Sequence, residues 1–156
     1  MMNNVKVNNE IDLAYPDSFR PMSEEELIRY FSTAENRWGV YDTDKHIILS
    51  VSWTKAGVTQ AFTDAESVLI GIEARMRRSL LNYQKVTDYE MKIGKKKANG
   101  VRFEYRVNDA RLVQVGDVVV FKYKKHFYVI HYITRKATAG QDRGMFKEVL
   151  DSIALN

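Results

Sequence analysis

Near the start of the chain, apolar Ile11, Leu13 and Tyr15 alternate with polar positions and run into Pro16. A period of two sends successive side chains to opposite faces, so this stretch predicts a half-buried strand closed by a turn. The period then changes. Ser23 and Glu26 have the spacing of a capping box, with Met22 and Leu27 at the two positions of a hydrophobic staple. A helix is predicted to begin after Ser23 and end at about Phe31, its cap contributing ~1 kcal/mol. Residues 39–41 and 46–54 flank the polar Asp42, Thr43, Asp44 and Lys45. That pattern predicts a hairpin, with Ile47, Leu49, Val51 and Trp53 on one face. Thr63 and Glu66 repeat the capping spacing ahead of Ala65, Val68, Leu69, Ile72, Met76, Leu80 and Tyr83. These helical intervals predict the longest helix, roughly residues 64–83.

The remaining half reads as four strands, 86–93, 101–107, 112–123 and 127–134, joined by polar connections 94–100, 108–111 and 124–126. Short connections imply antiparallel neighbours. In the last strand both alternating sets are apolar: Phe127, Val129 and Ile133 on one face, Tyr128, Ile130 and Tyr132 on the other. Such a strand needs cover on both sides, which predicts helices above and below the sheet. A terminal helix from about Asp142 to Ala154 offers Met145, Phe146, Val149, Leu150 and Ile153 as its apolar stripe. The expected fold is α+β: a three-layer α/β/α sandwich around a twisted, mainly antiparallel sheet of six or seven strands. Without repeats or a Pro/Gly/Ser linker, residues 1–156 are expected to form one domain, with the polar residues 1–10 as a flexible lead-in.

Composition narrows the chemistry. The chain contains no cysteine, which excludes disulfides, thiolate zinc sites, a cysteine nucleophile and a lipid-bearing cysteine. Residues 1–10 hold only Val5 and Val7 as large aliphatics, so they lack the apolar core of a signal segment, and no run approaches membrane-spanning length. A cytoplasmic location is the expectation. The net charge of +4 is uneven: residues 1–78 carry nine Lys/Arg against twelve Asp/Glu, and residues 79–156 carry fifteen against eight. Halves of opposite sign attract each other within one domain, or the basic half meets an anionic partner.

No catalytic residue stands out, and no cofactor or metal site is expected. Gly94 and Gly100 bracket Lys95, Lys96 and Lys97, but match neither phosphate-loop nor dinucleotide spacing. The three lysines read as a solvated hairpin tip, or as the binding residues for an anionic partner. His46, His126 and His131 lack zinc-ligand spacing, and His131 reads as a hydrogen-bonded core histidine. Glu24, Glu25 and Glu26 suit the positive end of a helix dipole, and Asp42 and Asp44 suit their turn. Arg102, Arg106, Lys122 and Lys124 interleave with Phe103, Tyr105, Phe121 and Tyr123, as a single-strand nucleic-acid platform would. Alternation turns Val101, Phe103, Tyr105 and Val107 to one continuous apolar face, so these aromatics are expected in the core.

The stretches IDLAYPDSF (11–19), IILSVSW (47–53), NGVRFEYRV (99–107), FYVIHYITRK (127–136) and MFKEVLDSI (145–153), with the order of elements, resemble the PsbP-like superfamily. That superfamily groups extrinsic PsbP proteins of photosystem II with a Ran-binding nuclear-import factor and many bacterial proteins of unassigned role. The resemblance implies the same sandwich and relatives that act mostly by binding other proteins, some as chaperones for secreted effectors and some lipid-anchored at the cell envelope. This chain departs from the anchored group in having no cysteine. It carries no functional motif of the family, so no residue role transfers. The leading expectation is a non-catalytic, protein-binding or chaperone-like module of bacterial kind, its partner another protein. The alternatives are an RNA or single-stranded nucleic-acid binder using the basic C-terminal half, and a small-ligand pocket or unrecognised enzyme.

Overall fold

The computed structural model describes residues 1–58 and 62–156. Ten strands and three helices follow in the order β1 (Met2–Val7), β2 (Ile11–Pro16), β3 (Arg20–Pro21), α1 (Glu24–Phe31), β4 (Arg37–Asp42), β5 (Ile47–Lys55), α2 (Ala65–Ser79), β6 (Leu81–Ile93), β7 (Lys96–Val107), β8 (Leu112–Tyr123), β9 (His126–Arg135), α3 (Ala139–Asp151) and β10 (Ala154–Leu155). The main sheet has seven strands in the order β3-β4-β5-β9-β8-β7-β6, every neighbouring pair antiparallel. A second sheet has three, β1-β2-β10, also antiparallel. The predicted α+β sandwich is the fold observed, with one outer layer built from α3 and the small sheet together.

Local signals account for most elements. The Ser23 hydroxyl accepts from the Glu26 N–H at 3.2 Å, and the Glu26 carboxylate accepts from the Ser23 N–H at 3.0 Å, completing the capping box of α1. Met22 and Leu27 are buried and meet over Gly39, whose missing Cβ would lie 3.1 Å from each. In the β4–β5 turn one Asp42 carboxylate oxygen accepts from the N–H groups of Asp44 and Lys45, each at 3.1 Å.

Five boundaries differ from the sequence expectation. Residues 1–10 contribute β1, whose only buried residue is Val7, because β2 has a free edge to pair with. Asp64, not Thr63, caps α2, its carboxylate accepting from the Ser67 N–H at 2.9 Å. That helix ends at Ser79: Leu81 already pairs with Arg106, and the Tyr83 ring stacks on Phe103 with centroids 5.4 Å apart. The 94–100 loop shrinks to a two-residue turn, since Ile93 pairs with Lys96 and Gly94 supplies the positive φ of 59°. The C-terminal helix spans Ala139–Asp151, leaving Ile153 buried beyond it and residues 154–155 free to join β2.

The two apolar faces of the main sheet feed two cores. On one face Ile47, Leu49, Val51, Val119, Phe121, Tyr128, Ile130 and Tyr132 pack against the small sheet and the Phe146, Val149, Leu150 stripe of α3. On the other, Val101, Phe103, Tyr105, Val118, Val120 and Val129 pack beneath α2 through Ala65, Leu69 and Ile72. Cover on this second face is incomplete. Helix α2 lies over β6, β7 and β8, and α1 lies over β4, so the strip over β5 and β9 runs between them.

Gly100, against the Tyr89 ring, and Gly116 mark close approaches in the sheet. A Cβ on Gly116 would fall 2.4 Å from the Phe103 ring, which is buried and held between Tyr83 and Tyr105. Gly71, on α2, has open space around it. Gly116→Ala is therefore expected to destabilise by ~1–3 kcal/mol, whereas Gly71→Ala is expected to stabilise by ~0.5–1 kcal/mol. Urea titration of both variants checks the pair.

Candidate functional site

Three polar clusters are built into the sheet, and they differ in how completely they are satisfied. Asp117, on β8, is 2 % exposed, and the guanidinium of its cross-strand neighbour Arg102 donates to both its oxygens at 3.0 and 3.2 Å. The Tyr89 hydroxyl adds a bond of 2.6 Å. Burial and the Asp117 charge push the Tyr89 hydroxyl well above the ordinary tyrosine range. Charge and hydrogen-bonding capacity are met from within, which is a structural arrangement.

The second cluster ties the β1–β2 turn to β9. The Glu10 carboxylate accepts from the Tyr128 hydroxyl and pairs with His126 Nδ1 at 2.8 Å, while Asn8 donates to the Tyr128 oxygen at 3.1 Å. Here too each group has a partner within the cluster.

The third cluster does not close. It lies on the strip between α1 and α2, where Ser50 of β5 stands opposite His131 of β9. Arg37 reaches across from β4: one Nη donates to the Ser50 hydroxyl at 3.1 Å, and its Cζ lies 4.2 Å above the ring of Phe31, the last residue of α1. The Phe31 ring also flanks His131, with centroids 6.1 Å apart. Arg37 Nε and His131 Nδ1 are buried without a hydrogen-bond partner, and among the described residues no carboxylate comes within salt-bridge distance of Arg37. Arg135, two residues past Ile133 on the same face, also has an unpartnered, buried Nε. It lines a cleft of about 360 Å³ with Tyr30, Tyr41 and Ile48.

Burial pulls the Arg37 guanidinium below its usual value. Burial first, and then the Arg37 charge, lower His131 from 6.5 to about 4, so its imidazole is neutral at pH 7. The expected hydrogen-bonded core histidine is thus half-buried, flanked by Phe31 at the end of α1 and unpartnered at Nδ1. A cation stacked on an aromatic ring, beside a hydroxyl and a neutral imidazole, is equipped to receive an anion and lacks a general base paired with a nucleophile.

The lysines singled out by sequence lie elsewhere. Lys95 occupies the β6–β7 turn, and Lys97 pairs with Glu90 at 3.2 Å. Lys96 and Lys97 line a cleft of about 240 Å³ beside the start of α2, together with Lys122 and with Asp64 and Glu66. Phe103, Tyr105 and Phe121 are buried as expected, which removes them from any stacking platform. No group of three or more His, Asp or Glu among the described residues is placed to hold a metal, and no helix among them is long and apolar enough to cross a membrane. Sequence reading missed Arg37 and Ser50. The available signals were His131, a polar residue interrupting a β9 apolar on both faces, and the polar Ser50 and Ser52 on one face of β5.

No family model matches the sequence, and no curated protein matches it. Solved structures do. The solution structure of the cyanobacterial PsbP protein from Synechocystis sp. PCC 6803 superposes with a TM-score of 0.71 at 9% identity, covering 99% of this chain and 92% of that one. LpqN of Mycobacterium tuberculosis, described as involved in cell envelope biogenesis, gives 0.69 at 14%, covering 100% and 91%. The Saccharomyces cerevisiae Ran-binding protein Mog1p gives 0.62 at 11%, covering 99% and 96%. The chain has the PsbP-like fold that its sequence stretches suggested.

The site generates a pH prediction. Because the folded His131 titrates near 4 and the unfolded one near 6.5, the unfolded chain takes up this proton first as pH falls. Stability contributed by the neutral imidazole is complete above about pH 6.5 and is lost progressively toward pH 4. Chemical denaturation across that window should show a steeper decline for the native chain than for His131→Gln.

Proposed function

From the PsbP-like fold, we propose that the chain is a non-catalytic protein-binding module whose contact surface is the α1–α2 side of the sandwich. The carrying observation is the exposure of apolar side chains on both helices of this side, Ile28 and Tyr30 on α1 and Ile70 on α2. Apart from the terminal Met1, the exposed large hydrophobics among the described residues are Ile28 and Tyr30 on α1, Val58 and Phe62 in the α1–α2 half of the chain, Ile70 on α2, and Leu81 and Val86 on the edge strand β6. None lies on α3 or β2, where apolar residues are spent on the core. Exposed apolar groups gathered on one side mark interaction surfaces, and tyrosine and arginine are enriched at their energetic centres.

The edge strand β6 is a poorer docking place. It is bulged between Leu81 and Gln84 and between Lys85 and Thr87, and it carries Lys85, Asp88, Glu90 and Lys92, features that discourage strand addition. The Ran-binding description of Mog1p supports a protein partner for a chain of this fold. Catalysis has no support from the three clusters: two are internally closed and the third lacks a nucleophile–base pair.

Immobilised chain should retain a protein partner from extracts of its host, and the double variant Ile28→Asp/Tyr30→Ser should lose it without a change in unfolding midpoint. Val86→Asp, on β6, should retain it. Retention unaffected by the α1 variant, or lost only with the β6 variant, would move the surface elsewhere.

A further inference from the structure

The unclosed cluster identifies what the partner must present. We propose that Arg37, held from beneath by the buried Ser50 and flanked by His131, is the seat for a single carboxylate, supplied by an Asp or Glu side chain of the protein that docks on α1. This rests on the protein-binding reading and adds its central contact. Arg37 is half-buried, its Nε is withdrawn from water and no carboxylate reaches it among the described residues, whereas Asp117 is paired with Arg102. The deficit at Arg37 is one positive charge, because Ser50 is a neutral hydroxyl and His131 is neutral at pH 7. A monovalent carboxylate cancels it.

Donor geometry agrees. One Arg37 Nη is occupied by Ser50, and the guanidinium plane is fixed by stacking on Phe31, so the remaining N–H donors are pre-oriented and little side-chain entropy remains to be lost on binding. The surroundings suit a protein side chain better than a free acid. Ile28 lies one helical turn before Phe31 and is 48% exposed, Tyr30 is 50% exposed, and Ile48 and Ile133 are half-buried on the floor beside the seat. A charge-assisted contact ringed by apolar groups that exclude water is how interface anchors are built.

The test uses the intact chain and two small probes at pH 7: N-acetyl-glutamate methylamide, and N-acetyl-glutamine methylamide as its neutral isostere. NMR follows the Arg37 Nε–H and the His131 ring. The glutamate probe should shift both resonances saturably and the glutamine probe should not. Arg37→Gln should weaken the glutamate probe by about tenfold or more, with Arg37→Lys between the two. Absence of a saturable shift in the native chain, equal response to both probes, or tighter response to inorganic phosphate would overturn the carboxylate seat. If Arg37→Gln abolishes the probe response yet leaves partner retention intact, the assignment to a partner's side chain is overturned. If the seat fails while Ile28→Asp/Tyr30→Ser still abolishes retention, the seat is wrong and the protein-binding reading stands.

Discussion

The central strands of the main sheet are apolar on both faces, and the rest of the architecture answers to that constraint. In β9, Phe127, Tyr128, Val129, Ile130 and Tyr132 are all buried, and in β8 the run Val118–Val120 is completely so. A strand of this kind is stable only between two covering layers. The layer made by α3 and the small sheet closes its side. The α1–α2 layer is thinner: α2 packs over β6–β8 and α1 over β4, with Phe31 at the end of α1 reaching His131 of β9. Sequence tracks the thinner cover: one face of β5 is polar at Ser50 and Ser52, and the apolar face of β9 is interrupted at His131.

That thinner cover decides the electrostatics. Asp117 stands deep in the sheet with Arg102 and Tyr89 closing every direction, so it holds strands together and has nothing left to offer a ligand. Arg37 is bound on only two sides, by Ser50 and by the Phe31 ring. An unsatisfied buried donor lowers stability, and Arg37 Nε lies where the cover of the sheet is incomplete.

Much of the framework was legible in the residues. Ser23 and Glu26 placed α1, the 42–45 turn placed the β4–β5 hairpin, and the doubly apolar β9 implied three layers. The strands β1 and β10 were not legible, since Asn3, Asn4 and Lys6 carry no apolar alternation and pairing to β2 alone makes them strands. Tyr83 misled because it fits a helical stripe and a strand face equally; its stack on Phe103 chose the strand. The seat was invisible for a similar reason. Arg37, Ser50 and His131 lie on three strands, and only the register that sets Ser50 opposite His131 brings them together. The expected cover on both faces of the sheet is present on the α3 side and incomplete on the other over β5 and β9.

The central claim is that the α1–α2 side, with Arg37 at its floor, is the surface this fold presents to another protein. Hydroxyl-radical footprinting of the chain, free and in complex with a retained partner, tests it most directly. The account predicts protection of Ile28, Tyr30, Phe31 and His131, with reactivity unchanged at Met145 on α3 and at Tyr89 and Met91 on β6. Protection confined to α3, the small sheet or β6, with Tyr30 and His131 unchanged, would contradict it.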